Sequence, residues 1–183
     1  MTKSPPLLHP RHAAAPRLET GRLILRGFRP EDFEASSALW AEPAVYKHIM
    51  GRPSTPEECW FRLLRSVGHW LWFGHGYWAV EEKTTGCLVG EVGFADFHRA
   101  MDPPLGDRAE MGWVLSERYH GKGLAREATE AVLAWAQTEK PQLQMACIIA
   151  PENEASIRLA QWLGFRQVRE TLYNGDRTLV FHR

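Results

Sequence analysis

The runs RAEMGWVL at residues 108–115 and HGKGLA at residues 120–125, joined by the short link SERY, decide how this chain folds. The first follows the loop at Asp102 to Gly106 and reads as a strand. Immediately after the second, Leu124, Ala128, Ala131, Val132, Trp135 and Ala136 recur at the spacing of one helix face. From Leu143 to Ala150 the pattern returns to a strand. A strand, a helix and a strand in succession imply one parallel pair joined by a right-handed crossover. The glycines Gly121 and Gly123 stand at the joint, where strand gives way to helix.

Working outward, Arg22 to Phe28 alternates and is rich in branched residues, so it is expected as a first strand. Pro30-Glu31-Asp32 opens a helix carrying Phe33, Ser37 and Trp40. Thr55-Pro56-Glu57-Glu58 is a second start signal. Thr55 caps, Pro56 suits the first helical position, and Glu58 completes a capping box. That helix runs through Trp60, Leu63, Leu64 and Val67. Tyr77 to Glu82 and Cys87 to Phe97 form a hairpin across Lys83-Thr84-Thr85-Gly86, and Asp102 to Gly106 is a loop. Beyond the crossover, Ser156, Leu159, Ala160 and Leu163 mark a helix face, with Gly164 as its C-terminal cap and Phe165 packing back. Two last strands flank Asn174-Gly175-Asp176. The expected fold class is α/β, with a mixed, mostly antiparallel sheet. Residues 1–16 are expected as a flexible N-terminal tail and residues 17–183 as a single domain.

Composition narrows the function. The 183 residues carry 22 Lys plus Arg against 22 Asp plus Glu, so the formal charge is zero and no bulk field draws the chain to nucleic acid or anionic membrane. Cys59, Cys87 and Cys147 are odd in number and widely spaced, which argues against a disulfide framework or a zinc site and for a reducing, cytoplasmic setting. No run is long and apolar enough to span a membrane, and Met1 to Pro16 lacks the apolar segment of a secretory signal. His48, His69, His75 and His98 lack ligand spacing and are expected to be structural or on the surface, so no metal is expected. Trp70, Trp72, Phe73, Tyr77 and Trp78 are expected mostly in the core, with one or two lining an acceptor pocket.

Two motifs carry chemistry. The glycines of His120 to Ala125 let backbone approach a ligand, and the following helix start offers unpaired N–H groups and a positive dipole end, which suit a phosphate or pyrophosphate. The run is neither a P-loop nor a dinucleotide fingerprint. Pro151-Glu152-Asn153-Glu154-Ala155-Ser156 opens the next helix, with Asn153 fit for an N-cap. Ser156 shares a face with Leu159, Ala160 and Leu163. Its hydroxyl needs either a backbone carbonyl one turn back or a ligand.

Taken in order, Leu18 to Arg26, Val89 to Gly93, Glu110 to Leu115, Tyr119 to Glu127, Asn153 to Ser156 and Leu163 to Phe165 resemble the GNAT superfamily of N-acetyltransferases. The resemblance is closest to the branch holding the ribosomal-protein N-terminal acetyltransferases, and it runs from about Pro16 to the C-terminus. It implies helices on both faces of the sheet and acetyl-coenzyme A (acetyl-CoA) as co-substrate. His120 stands where the family has Gln or Arg, while Gly123 and Ala125 match. The resemblance assigns the CoA pyrophosphate to the backbone from Gly121 through Lys122, Gly123 and Leu124 to Ala125, with His120 and Arg126 flanking. It assigns the pantetheine arm to Trp113, Val114, Leu115 and Asn153, and the departing sulfur to Ser156.

Transfer to an amine needs a base, an oxyanion donor and an acid. A backbone N–H near Val114 is placed to be the donor. Glu110 is the first candidate for base, because it shares a strand face with Gly112, which leaves room beside it. Glu91, between Gly90 and Gly93, is the second, and a water chain the third. The expected partners are acetyl-CoA and a primary amine, either a protein N-terminus or a small molecule, in a monomer or homodimer. A non-catalytic acyl-CoA sensor on the same fold is the alternative.

Overall fold

In a computed structural model, residues 14–183 are described, and they build one eight-stranded sheet in the order β1-β2-β3-β4-β5-β6-β8-β7. The strands are β1 (Leu18–Glu19), β2 (Leu23–Arg26), β3 (Tyr77–Glu82), β4 (Leu88–Ala95), β5 (Ala109–Leu115), β6 (Met145–Ile149), β7 (Arg166–Tyr173) and β8 (Asp176–His182). The β5–β6 pair alone is parallel, and α4 (Leu124–Glu139) connects those two strands. The expected mixed, mostly antiparallel sheet is therefore present.

Helix α1 (Phe33–Trp40) follows a 3-10 turn at Pro30–Asp32, and α3 (Pro56–Phe73) starts on the expected box. Thr55 Oγ1 accepts from the Glu58 N–H at 3.2 Å, and the Glu58 carboxylate accepts from the Thr55 N–H at 2.8 Å. Helix α5 (Glu154–Trp162) ends with Gly164 at φ 87°, and Phe165 turns back into the core at 2% exposure. Two elements carry no strong local signal and were not expected. Strand β1 is two residues long, and α2 (Pro43–Tyr46) is one turn announced only by Pro43 at its first position.

Alternation sorts the sheet into two faces. Leu23, Leu25, Val80, Val92, Phe94, Met111 and Leu115 face α4, where Leu124, Ala128, Val132 and Ala136 meet them in the main core. Trp70, Trp78 and Trp135 close its end with ring centroids 4.5–5.4 Å apart. Trp70 and Trp78 are core as expected; Trp72 is not, at 65% exposure, because it lies on the outer side of α3. The opposite face carries a smaller cluster of Leu39, Trp40, Val45 and Cys59 from α1, α2 and α3 against Leu88 and Val114.

The expected tail needs a division. Residues 1–13 lie outside the described residues. Ala15 packs on the core, and the Pro16 carbonyl accepts the Trp78 indole N–H at 2.8 Å, so that end is fastened. Among the described residues no helix is long and apolar enough to cross a membrane, and no cluster of His, Cys, Asp or Glu is arranged to hold a metal.

Candidate active site

The parallel pair is short. Strand β5 meets β6 only at Ala109↔Met145 and Glu110↔Ala146. Beyond Glu110, β5 stays with β4 as far as Leu115, while β6 stays with β8 as far as Ile149. Between them opens a cleft of about 430 Å³. One wall is the Trp113–Leu115 edge, which has no strand partner on that side; the other carries Asn153 and Ser156.

At its far end lies the start of α4. Gly121 and Gly123 have φ of 72° and 76°, a backbone that side chains resist, and Gly123 is the N-cap. No side chain caps this helix, whose first intrahelical bond runs from Glu127 N–H to the Gly123 carbonyl at 3.1 Å. The amides of Leu124, Ala125 and Arg126 therefore have no helical acceptor, as an anion site requires. The unpaired strand edge and these amides fit the arm and pyrophosphate of CoA. His120 lines the cleft, and its Nε2–H donates to the Leu115 carbonyl at 2.8 Å and ties strand end to turn.

Arg22 holds the turn in place. Its Nη1 donates to the Lys122 carbonyl at 2.8 Å, and its Nε donates to Glu127 at 2.7 Å. Glu127 also accepts the Thr20 hydroxyl at 2.5 Å and the Arg22 N–H at 2.8 Å. Burial alone would raise its carboxyl, but these bonds from Thr20 and Arg22 bring it below the usual range. This clamp spans about a hundred residues of sequence, so no local signal announces it. Of the residues expected to hold CoA, all line the cleft except Lys122, whose ammonium lies over the Tyr119 ring at 5.2 Å. The cleft adds Val45, His48 and Ile49 from α2 and the turn that follows it.

Ser156 has an answer to its hydroxyl. The Trp113 indole N–H donates to Ser156 Oγ at 3.3 Å, and among the described residues no backbone carbonyl takes the serine proton. Asn153 caps α5 as expected, its Oδ1 accepting the Ser156 N–H at 3.1 Å.

The two candidate bases differ sharply. Neither Glu110 nor Glu91 lines the cleft, and what separates them is their partners. Both carboxylate oxygens of Glu110 accept from the Arg99 guanidinium, the longer contact being 2.6 Å, and Arg99 Nη1 donates on to Tyr173 Oη at 2.9 Å. Burial disfavours charge on Arg99, yet Glu110 holds it firmly cationic. The room expected over Gly112 is filled, since a Cβ there would overlap the Tyr77 hydroxyl. Register explains this. Tyr77, Gly93 and Gly112 form one row across three strands, and Gly112 leaves the space that the end of the Tyr77 ring occupies.

Glu91 stands in the next row, Arg26–Ala79–Glu91–Val114, directly beside Val114. It is 7% exposed and makes no ion pair within salt-bridge distance among the described residues. Burial pushes its carboxyl above the usual range, partly offset by Arg62, by the Trp40 indole N–H and by Arg65. The Trp40 indole N–H meets no acceptor at strict hydrogen-bond geometry, so its pull on Glu91 is electrostatic. Arg62 itself is stacked on Trp40 at 3.6 Å. The phenol of Tyr77 is raised by burial and then by Glu110 and Glu91, so it stays protonated.

His69, His75 and His98 do not line the cleft. His69 Nδ1–H donates to the Arg65 carbonyl at 2.8 Å and its Nε2 accepts the Asp96 N–H at 3.1 Å. His75 is buried, and His98 sits in an exposed loop. His48 does line the cleft.

Residues 22–166 match the acetyltransferase (GNAT) domain family. The Bacillus subtilis protein YkkB is 33% identical over 155 residues, 82% of this chain and 86% of that one. An uncharacterized N-acetyltransferase of Bacillus licheniformis, p20, is 28% identical over 151 residues, 82% of each chain. The acetyltransferase from Agrobacterium tumefaciens str. C58 superposes with a TM-score of 0.78 at 27% identity, covering 92% of this chain and 94% of its own.

Proposed function

The chain belongs to the GNAT acetyltransferases and uses acetyl-CoA, and on that footing we propose that it acetylates a primary amine, a protein N-terminus or a small molecule, by direct attack. The observation that carries the reading is the parting of β5 from β6 after Glu110, which leaves a bare strand edge facing Ser156 and ending at uncapped helix amides.

In this reading the amides at Leu124 to Arg126 hold the pyrophosphate, and the Trp113–Leu115 edge pairs with the pantetheine arm as an added strand would. A backbone N–H near Val114 donates to the acetyl oxygen as negative charge grows there. Glu91 takes a proton from the incoming ammonium, directly or through water, so that the amine can attack. A carboxyl raised by burial is better matched to that task at neutral pH than an ordinary one. As the new C–N bond forms and the C–S bond breaks, Ser156 gives its proton to the departing thiolate, and the second proton shed by the newly acylated nitrogen restores the serine hydroxyl through water. Its oxygen is already supplied by Trp113, so its proton is the free half of the hydroxyl. Glu110 keeps Arg99 and Tyr173 in place beneath Tyr77 and does not move protons.

The test is thiol release from acetyl-CoA against a panel of peptides with free N-termini and small primary amines. Turnover of at least one, lost in Glu91→Gln, supports the reading. Tight acetyl-CoA binding with no turnover across the panel makes the chain a binding module instead.

A further inference from the structure

Ten large apolar side chains among the described residues are substantially exposed, and six of them belong to α3: Trp60, Phe61, Leu64, Val67, Leu71 and Trp72. At 100° per residue they fall on one side of the helix, in an arc centred near Leu64 and Gly68. The charged residues Arg62 and Arg65, with His69, turn toward the sheet. The arc lies apart from the cleft, which α3 does not line.

Exposures from 38% to 65% on side chains this large amount to roughly 700 Å² of apolar surface, above the largest patch of an ordinary monomer and near the 800 Å² that each partner gives to a stable interface. Gly68 lies in the middle of the arc. A Cβ at Gly68 would meet nothing within 4 Å, so nothing in this protomer asks for a glycine there, while a glycine weakens a helix interior. A small residue in an apolar helix face is what close approach of another helix requires.

We infer that α3 is the interface of a two-fold homodimer, with the α3 helices of two copies packed antiparallel across Leu64 and Gly68. Five of the six apolar residues and Gly68 pair among themselves in that arrangement, and Val67 falls at the rim opposite Arg65. About an axis midway between Leu64 and Gly68, Leu64 of one copy meets Gly68 of the other, Phe61 meets Leu71, and Trp60 meets Trp72. Each pair occurs twice, as an isologous contact demands. The protruding Leu64 enters the space left by Gly68, and bulky rings close both ends. An unrelated partner would not need the arc to match itself. The inference does not rest on the acetyl-transfer reading, and its test reads mass, not activity.

Full-length protein is measured by sedimentation velocity from 1 to 100 µM. The wild type is expected at twice the chain mass. Gly68→Leu, which fills the space and whose Cβ meets nothing within 4 Å in its own copy, is expected to weaken dimerisation at least 100-fold while keeping a cooperative thermal melt. Leu64→Asp is expected to do the same. The double variant Leu64→Gly with Gly68→Leu restores a leucine opposite a glycine and is expected to dimerise again. A wild type that stays monomeric at 100 µM, as it would if residues 1–13 or a different protein cover this face, overturns the inference. So does a Gly68→Leu protein that dimerises as tightly as wild type, or a folded double variant that remains monomeric.

Discussion

The Trp113 indole N–H donates to the Ser156 hydroxyl at 3.3 Å, bridging the strand on one side of the cleft to the helix on the other. A hydroxyl that accepts from one side is better able to donate from the other, because the bonds polarise one another. Ser156→Ala is therefore expected to lower kcat by about 10- to 100-fold, the low part of the range for an acid, since water can replace it. The KM for acetyl-CoA should change little. Stopped-flow thiol release checks this, and wild-type kcat in the variant returns Ser156 to a packing role.

Gly123 holds φ 76° at the head of α4, and a Cβ there comes within 3.6 Å of the Arg22 guanidinium that clamps the turn. Gly123→Val asks a branched residue to adopt a left-handed backbone, at a cost of about 1–2 kcal/mol. The turn is expected to relax and its amides to diverge, so acetyl-CoA affinity falls at least tenfold while the sheet stays folded. Arg22→Ala is expected to weaken affinity in the same direction by removing the clamp. Calorimetry on folded variants decides, and unchanged affinity in both would remove the phosphate role from this turn.

The sequence made the scaffold of this site legible where chemistry is local. Thr55 and Glu58, the Gly121–Gly123 turn, the Gly164 cap and the Asn174-Gly175 turn each act over a few residues, and each stands where its pattern puts it. Long-range partners were a different matter. Glu110 sits on the expected strand face, but nothing near it in sequence announces that Arg99 takes both its oxygens. Nor does Gly112 reveal that Tyr77 fills the space above it, a fact of register across three strands. The Arg22–Glu127 clamp is hidden for the same reason.

His75 is buried beside Phe73 and Phe94, and its Nε2 lacks a partner. Burial, then Lys140 and His69, lower its pKa to about 4 from an ordinary 6.5. The unfolded chain thus takes up this proton first as pH falls. Its contribution is complete above pH 6.5 and falls away as pH drops, the loss reaching about 3 kcal/mol near pH 4. His75→Phe is expected to flatten that part of the profile, read as ΔG of urea unfolding at pH 7 and pH 4. An equal drop in wild type and variant would assign the loss to other groups.

Glu91 and Glu110 are two buried carboxylates on one sheet face, and replacing each by glutamine should give opposite results. Burial raises the Glu91 carboxyl, so the folded state holds its proton more tightly than the unfolded chain does. Stability from this group is then lost as pH rises through the interval between the unfolded and folded values. Glu91→Gln removes that cost. It is expected to be more stable than wild type at pH 7, with the difference shrinking as pH falls. As the proposed base, the same variant should lose about 10²–10⁴-fold in kcat/KM, together with the ascending limb of the pH profile. Glu110→Gln breaks a two-point pair with Arg99 and leaves a buried guanidinium short of its counter-charge. Removing one member of a buried pair costs about 3–5 kcal/mol, less here because glutamine keeps one acceptor. This variant is expected to melt earlier, to keep the ascending limb, and to lose rate only through loosened packing beneath Tyr77. Thermal melts beside pH–rate profiles of both variants decide. If Glu110→Gln abolishes the limb and Glu91→Gln keeps it, the base is Glu110 and the Arg99 pair must open during turnover.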